Sequence, residues 1–356
     1  MKKSSVLRTT ALIAAVGIAA VAAGCSAQDP EPADTGAPVS AEWQAVVDAA
    51  NEEGAVVWYS SAPPAAREAL KAAFEEEYPE ITVEIRALNT ADMQAALQAE
   101  HDTGTAGADV VSNVDYSWIY DRVAEPDFMT PLEAPVFAEQ EWVDSGYVLN
   151  DKAVIAPIGL VTIGWNTELY PEGIESYDDL LDPKLGNGVI GSVEATLTAV
   201  YADWYNFVEE NHNPDFVEEL AKQDPTFYPS AAVMVEALTA GEVAVGAFTT
   251  AADMTRLKDE GAPVDFVLPD PAWLVQNIFY IVESAGHPNA AQVFMNFFGS
   301  PKGQAAIAQF GVSPLSEVAD QTLGGETPVV LVNIDNMLDQ EWVADYQARW
   351  SEAFGR

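Results

Sequence analysis

Three pairs of polar residues each follow directly on a short apolar run. Ser60-Ser61 follows Ala55-Val56-Val57-Trp58-Tyr59, Asp115-Tyr116 follows Val110-Val111-Ser112-Asn113-Val114, and Thr249-Thr250 follows Gly246-Ala247-Phe248. Ser192, Thr196 and Thr198 stand in the same relation to Val189-Ile190-Gly191. Hydroxyls, a phenol and one carboxylate at such positions suit reversible hydrogen bonding to a polar molecule. Ser60 and Ser61 open a turn into a helix, where they serve either to grip a ligand alongside free backbone N–H groups or to cap that helix. Tyr59 closes the first run. Trp273 is placed either to stack on a ligand or to pack in a core. Arg86 is one of few cations available to pair an anionic group, a surface position being its other reading.

Bond-breaking chemistry has little to work with. His101, His212 and His287 are the three histidines, and none sits in a local motif with a nucleophile or an acid. No GxSxG, HExxH or Walker-type phosphate loop occurs. The 56 Asp+Glu make chance carboxylate pairs inevitable, so a hydrolase or lyase using such a pair stays a rival without a distinguishable pair. With 15 Lys+Arg and a formal charge of −41, the chain lacks the basic patches that phosphate neutralisation requires, which disfavours nucleic acid as a partner. Cys25 is the single cysteine, so an intramolecular disulfide, a zinc cluster and a CxxC pair are all impossible. No metal and no cofactor is expected.

Short strands must position these residues. Apolar residues at helical spacing (Trp43, Val46, Val47, Ala50) predict a first helix, and Gly54 ends it before a strand over residues 55–59. A helix carrying Leu70, Ala73 and Phe74, a strand over 81–85, a helix over 93–100 and a strand over 109–114 follow. Strands alternating with helices predict a parallel sheet covered by helices, with ligands beyond the carboxyl ends of its strands. Residues 153–166 form an apolar stretch broken by Pro157 and Gly159, as expected for a segment crossing between lobes. A second α/β series runs from the strand at 189–191 through helices containing Tyr201 and Phe207 and spanning 231–240, to strands at 243–248 and 264–267. Pro269 and Pro271 mark a second crossing. The last third reads as helices over 290–298, 303–310 and 339–350.

The N-terminus reads as an address. Lys2, Lys3 and Arg8 precede the apolar run 11–20, the order of a secretory signal. Val21-Ala22-Ala23-Gly24-Cys25 resembles a bacterial lipobox, which implies cleavage after residue 24 and lipidation of Cys25. Residues 25–40, rich in Pro, Ala and acid, read as a disordered tether. The chain's 49% hydrophobic composition supports a packed body of about two domains.

Several segments in a fixed order carry a family resemblance: Glu53-Gly54-Ala55-Val56-Val57-Trp58-Tyr59-Ser60-Ser61, Phe74 followed by Tyr78-Pro79-Glu80-Ile81-Thr82-Val83, Ala108-Asp109-Val110-Val111, Ile163-Gly164-Trp165-Asn166-Thr167, Tyr177-Asp178-Asp179-Leu180-Leu181-Asp182-Pro183-Lys184, Asn289-Ala290-Ala291 with Phe294, and Ser300-Pro301-Lys302-Gly303-Gln304. From about residue 43 to 314 the chain resembles bacterial extracellular solute-binding proteins of ABC importers, nearest the branch of ferric-iron, thiamine, polyamine and phosphonate binders. The resemblance implies a type II periplasmic-binding-protein fold of class α/β, with two lobes of mostly parallel sheet flanked by helices and joined by hinge strands. It implies lobe 1 over 41–159 plus 273–312 and lobe 2 over 160–272 plus 313–356, closing on a small polar solute. It also implies an ABC permease and its ATPase as membrane partners, a monomeric state, and a lipid-anchored location on the outer face of the cytoplasmic membrane or in the periplasm.

Ferric binders of that branch carry adjacent tyrosines after the corresponding glycine segment of the second lobe. Here that stretch reads Gly246-Ala247-Phe248-Thr249-Thr250-Ala251-Ala252-Asp253, without the pair. Tyr59-Ser60-Ser61 stands where an early histidine would be. A ferric binder with non-standard ligands, for which Tyr201 and Tyr205 on one helix face are the available phenols, is the alternative to an organic solute. A structural or adhesive lipoprotein is the remaining rival.

Overall fold

Ser40 accepts a hydrogen bond from the Trp43 N–H at 3.1 Å and so starts the first helix, α1 (Ala41–Glu53). Gly54, at φ 71°, stops it in a left-handed conformation that a residue with a Cβ adopts only under strain. The computed structural model describes residues 40–323 and 327–356. The expected signal segment, Cys25 and the tether up to residue 39 lie outside the described residues.

The strands, in chain order, are β1 (Ala55–Ser60), β2 (Thr82–Ala87), β3 (Val110–Asn113), β4 (Met129–Thr130), β5 (Val148–Leu149), β6 (Ala153–Ala156), β7 (Val161–Asn166), β8 (Ile190–Val193), β9 (Thr226–Tyr228), β10 (Val245–Thr250), β11 (Val264–Val267), β12 (Ala272–Leu274), β13 (Asn277–Val282) and β14 (Val329–Leu331). The helices after α1 are α2 (Pro64–Glu77), α3 (Thr90–Thr103), α4 (Tyr116–Val123), α5 (Gln140–Ser145), α6 (Ala199–Asn211), α7 (Phe216–Ala221), α8 (Ala231–Ala240), α9 (Ala251–Asp259), α10 (Pro288–Gly299), α11 (Pro301–Ile307), α12 (Ser316–Ala319), α13 (Ile334–Leu338) and α14 (Gln340–Phe354).

Two main sheets result. The first has the order β2-β1-β3-β13-β6-β5, with β4 beside β13. Its apolar residues split between two clusters. Trp43 of α1, Phe74 of α2 and Phe294 of α10 pack with Trp58 and Phe279. Met93 and Leu97 of α3 and Ile119 of α4 pack with Tyr59, Val111 and Tyr280. The second sheet has the order β11-β7-β10-β8-β9. Trp204 of α6, Phe216 of α7 and Trp350 of α14 are buried with it, and Leu238 and Met254 form a small cluster with Val243 and Val264.

Both sheets mix parallel and antiparallel pairs, and the strands of the first third pair in parallel as expected. β1 pairs parallel with β2 and β3, but β13 runs antiparallel to both β3 and β6. β13 enters its sheet from the crossing at residues 269–276, beside the carboxyl ends of β1 and β3, so it must run opposite to them. β7 likewise starts at a crossing and pairs antiparallel with β10, Val161 opposite Thr250.

Two crossings are expected from sequence and three are found. Ile158 bridges Gly311, and Leu160 bridges Leu274, so residues 157–160 touch both other connections. β12 and β14 pair in parallel and form the second and third. The chains approach closely here: a Cβ on Gly311 would lie 2.0 Å from the Pro157 carbonyl oxygen. Among the described residues no helix is long and apolar enough to cross a membrane.

Candidate ligand-binding site

A cavity of ≈430 Å³ lies where the amino end of α4, from the first lobe, meets the amino end of α6, from the second. Each end follows a strand, β3 for α4 and β8 for α6, and each is fixed by its own cap. Asp115 accepts from the Trp118 N–H at 3.3 Å, and Thr198 accepts from the Tyr201 N–H at 3.2 Å. The first N–H groups of a helix have no intrahelical acceptor. Those of Ser117, Ala199 and Val200 have no hydrogen-bond partner among the described residues, and all three residues line the cavity. Helix dipoles add partial positive charge at both ends.

Asp115 is the one charged side chain on the cavity wall. Burial pushes its carboxyl upward, opposed by the Trp118 N–H. Its second oxygen accepts from the Gln94 amide. Leu197, Met337 and Val343 give the wall an apolar side. Leu197 is 45% exposed, unusual for a leucine in this chain, and it faces this space.

Of the residues singled out from sequence, Asp115, Tyr116 and Thr198 come together around the cavity. The Tyr116 hydroxyl is turned away from it. It donates to the Gln276 carbonyl at 2.6 Å and accepts from the Gln276 N–H at 3.1 Å, tying α4 to the second crossing. Burial raises its pKa far beyond the ordinary phenol range.

The other positions fall elsewhere. Tyr59 donates to Glu100 at 2.8 Å and accepts from Arg86 at 2.7 Å, which also settles where the Arg86 guanidinium goes. Ser60 is fully buried, bonded to Ser112 at 2.7 Å and accepting from the Ala62 N–H at 3.1 Å. Ser192 shares a 2.8 Å bond with the Tyr205 hydroxyl inside the second lobe. Thr196 reaches only Glu194, at 3.3 Å on the surface. Thr249 binds Thr162 across β7 and β10, at 2.8 Å to its hydroxyl and 2.9 Å to its carbonyl. Thr250 caps α9, accepting from the Asp253 N–H at 3.2 Å. Trp273 is 1% exposed and packs with Phe207 and Phe248.

Ser61 differs from these. Its Oγ is buried without a hydrogen-bond partner, as are Gln276 Oε1 and Asn277 Oδ1. All three lie at the edge of the first sheet where the crossings begin. The Ser61 N–H bonds the Ser112 carbonyl, and Ser112 pairs with Phe279, two residues along from Asn277. Extending the β3–β13 register places Asn277 opposite Val114, which lines the cavity. Buried polar atoms are normally paired, so this edge has unused hydrogen-bonding capacity next to the cavity.

Sequence reasoning missed the contribution of the C-terminal helices. Gln340, Val343 and Gln347 stand on one face of α14, and Met337 comes from α13, which packs on α4. The 3- and 7-residue spacing of the α14 positions is the helical signal that was there to be read. Gln347 is anchored by donating to the Ala195 carbonyl at 2.9 Å. Away from the cavity, His101, Glu125 and Asp127 bring possible ligand atoms within 4.8 Å of one another, but Arg122 already pairs with Glu125 at 2.5 Å.

The architecture has counterparts among known proteins. Residues 55–313 match the family described as bacterial extracellular solute-binding protein. No curated protein matches the chain in sequence. A substrate-binding protein of an ABC transporter from Agrobacterium tumefaciens superposes with a TM-score of 0.71 at 17% identity, over 86% of this chain and 97% of that one. The periplasmic binding protein AfuA from Actinobacillus pleuropneumoniae, solved with fructose-6-phosphate, gives 0.63 at 20% identity over 85% and 99%. Iron-bound HitA from Pseudomonas aeruginosa gives 0.60 at 19% over 83% and 99%. These likenesses establish the two-lobed type II fold. The family is one of transport substrate-binding proteins rather than enzymes. With the matched segment covering most of its length, this chain belongs to the family of bacterial extracellular solute-binding proteins.

Proposed function

We propose that this protein captures a small polar organic solute between its lobes and delivers it to an ABC permease in the membrane. The observation that carries the reading is the cavity itself, walled by helix amino ends from both lobes, so that one solute can touch both. A ligand bridging them stabilises the closed arrangement of two bodies linked by hinge strands, and a closed body is a shape a permease can recognise. The lobe divisions proposed are 41–159 plus 273–312 and 160–272 plus 313–356. Site residues proposed to touch solute are Asp115, the backbone of Tyr116 and Thr198, with Ser61 at the sheet edge. Tyr59, Ser60, Ser192, Thr249 and Trp273 support the walls from within.

The donor set favours an organic solute over ferric iron. One carboxylate faces the cavity, and the nearest phenol, Tyr116, is engaged by Gln276. HitA is iron-bound and AfuA holds a sugar phosphate, so this fold accommodates both classes and the side chains must decide between them. Cys25 is proposed as the lipid anchor holding a monomeric body near its permease. Two or more acyl chains give stable anchoring where one is marginal.

The test is a thermal-shift screen of the purified chain against amino acids, polyamines, vitamins, phosphonates, organic acids, sugars and ferric salts. A true ligand at a hundredfold excess over its dissociation constant adds about 2.7 kcal/mol of stability. Stabilisation by an organic solute is the expected result. Response to ferric salts alone, with a phenolate-to-metal visible band, contradicts the ligand class. Silence across the panel contradicts the function. Cys25→Ser is expected to give unlipidated, released protein, and continued acylation contradicts the anchor.

A further inference from the structure

The two sides of the cavity offer opposite chemistry. On the first lobe the wall carries a carboxylate, beside the free Ser117 N–H at the amino end of α4. Asp115 carries the site's one formal charge, and the unpartnered side-chain amide oxygens of Gln276 and Asn277 lie along the adjoining sheet edge, behind the residues that line the cavity. Both of those residues are 3% exposed, so bulk water does not satisfy them. On the second lobe the wall presents donors. The N–H groups of Ala199 and Val200 open the 13-residue helix α6 with its dipole behind them, and nothing neutralises that end, because its cap is the uncharged Thr198. No lysine or arginine lines the space. Of the guanidinium groups near the first-lobe wall, Arg86 binds Tyr59, Arg122 binds Glu125 and Gln98, and Arg67 donates to the Ser60 carbonyl at 3.3 Å while its buried Nε has no partner among the described residues. Between the two polar walls lie Leu197, Met337 and Val343.

From this complementarity we infer that the solute is a zwitterion of the α-amino-acid class, its ammonium on Asp115 and the first-lobe acceptors, its carboxylate on the α6 N–H groups, and an apolar portion between. The inference rests on the capture function proposed above and specifies its substrate. A carboxylate suits the α6 end because backbone N–H groups and a helix dipole bind anions without a cationic side chain. An ammonium suits the other end because a desolvated carboxylate gains most from a partner of opposite charge. A solute of single charge leaves one wall unmatched. A dianion places charge against Asp115, and a polyamine places charge against the α6 dipole. The cavity volume, ≈430 Å³, falls in the range of small-molecule pockets.

The experiment is calorimetric titration of the purified full chain with the common α-amino acids, and then with the N-acetyl and methyl-ester derivatives of whichever binds. Linear polyamines, sugar phosphates and neutral sugars run in parallel. An α-amino acid is expected to bind, and each derivative to lose about tenfold or more, the scale of one charge-assisted hydrogen bond. Asp115→Asn is the matched variant, since asparagine also caps α4 and preserves the fold. It is expected to weaken the zwitterion by about tenfold or more and to add no further loss for the N-acetyl derivative, which no longer carries the ammonium. Tight binding of a polyamine, sugar phosphate or sugar in place of any zwitterion overturns this inference and leaves the capture function standing. Equal affinity of the parent and its N-acetyl derivative overturns it as well. Absence of binding by every solute contradicts both.

Discussion

Removing a single oxygen atom, in Tyr116→Phe, tests whether the residue after Asp115 is a strut rather than a ligand contact. The hydroxyl makes two hydrogen bonds with one residue, donating to the Gln276 carbonyl at 2.6 Å and accepting from its N–H at 3.1 Å. Tyr116 is 2% exposed and Gln276 3%, so water cannot replace the lost oxygen without displacing side chains. Each buried polar group left unpaired costs about 1–3 kcal/mol, which puts the expected destabilisation from the two Gln276 backbone groups at about 2–6 kcal/mol. Phenylalanine fills nearly the same volume, so a cavity adds little to that figure. Urea unfolding followed by tryptophan fluorescence reads the change, and calorimetry on the same preparation reads solute affinity. The expected outcome is a clear loss of stability with affinity kept within about threefold, since the hydroxyl points away from the cavity. Unchanged stability refutes the strut. A large fall in affinity with normal stability refutes its orientation.

Two further outcomes follow from the hinge and the interior. Gly311→Ala puts a methyl group 2.0 Å from the Pro157 carbonyl oxygen, where backbone must move, and is expected to destabilise by about 1–3 kcal/mol or to open the crossings; unchanged unfolding and unchanged solute affinity together contradict the close approach. Asp203, 3% exposed, has its pKa pushed up to about 6 by burial, against the Asn333 N–H and the Asn336 amide, each at 3.0 Å. Its unfolded value is about 3.9, so the folded chain holds the proton more tightly and gains stability as pH falls from about 6 to about 4. Against Asp203→Asn, which does not titrate, the natural chain is expected to gain about 2 kcal/mol between pH 7 and pH 4, and a stability difference that stays flat with pH contradicts the burial.

Much of this molecule is written locally. Gly54 ends α1 and the apolar run after it forms β1, as spacing alone implies. Residues 231–240 form α8 because the Ser230 cap and Gly241, at φ 78°, bound them. Asp115 and Thr198 were legible as cavity residues because a polar side chain after a short buried strand caps the next helix and lands at the sheet edge. What was not legible depends on distant partners. Thr249 looked like Thr198 in sequence, yet β7 brings Thr162 against it across 87 residues of chain. Tyr116 meets Gln276 across 160 residues. The antiparallel course of β13 follows from where the second crossing delivers it, and the place of α14 on the cavity follows from a third crossing that no local pattern announces.

The most direct measurement is a crystal structure of the chain grown with the solute that stabilises it best in the thermal screen. Density for that solute between Asp115 and the Ala199 and Val200 N–H groups, contacting both lobes at once, is the predicted result. Density confined to one lobe, or lying outside the space between α4 and α6, contradicts the claim that the cavity is where the protein holds its ligand.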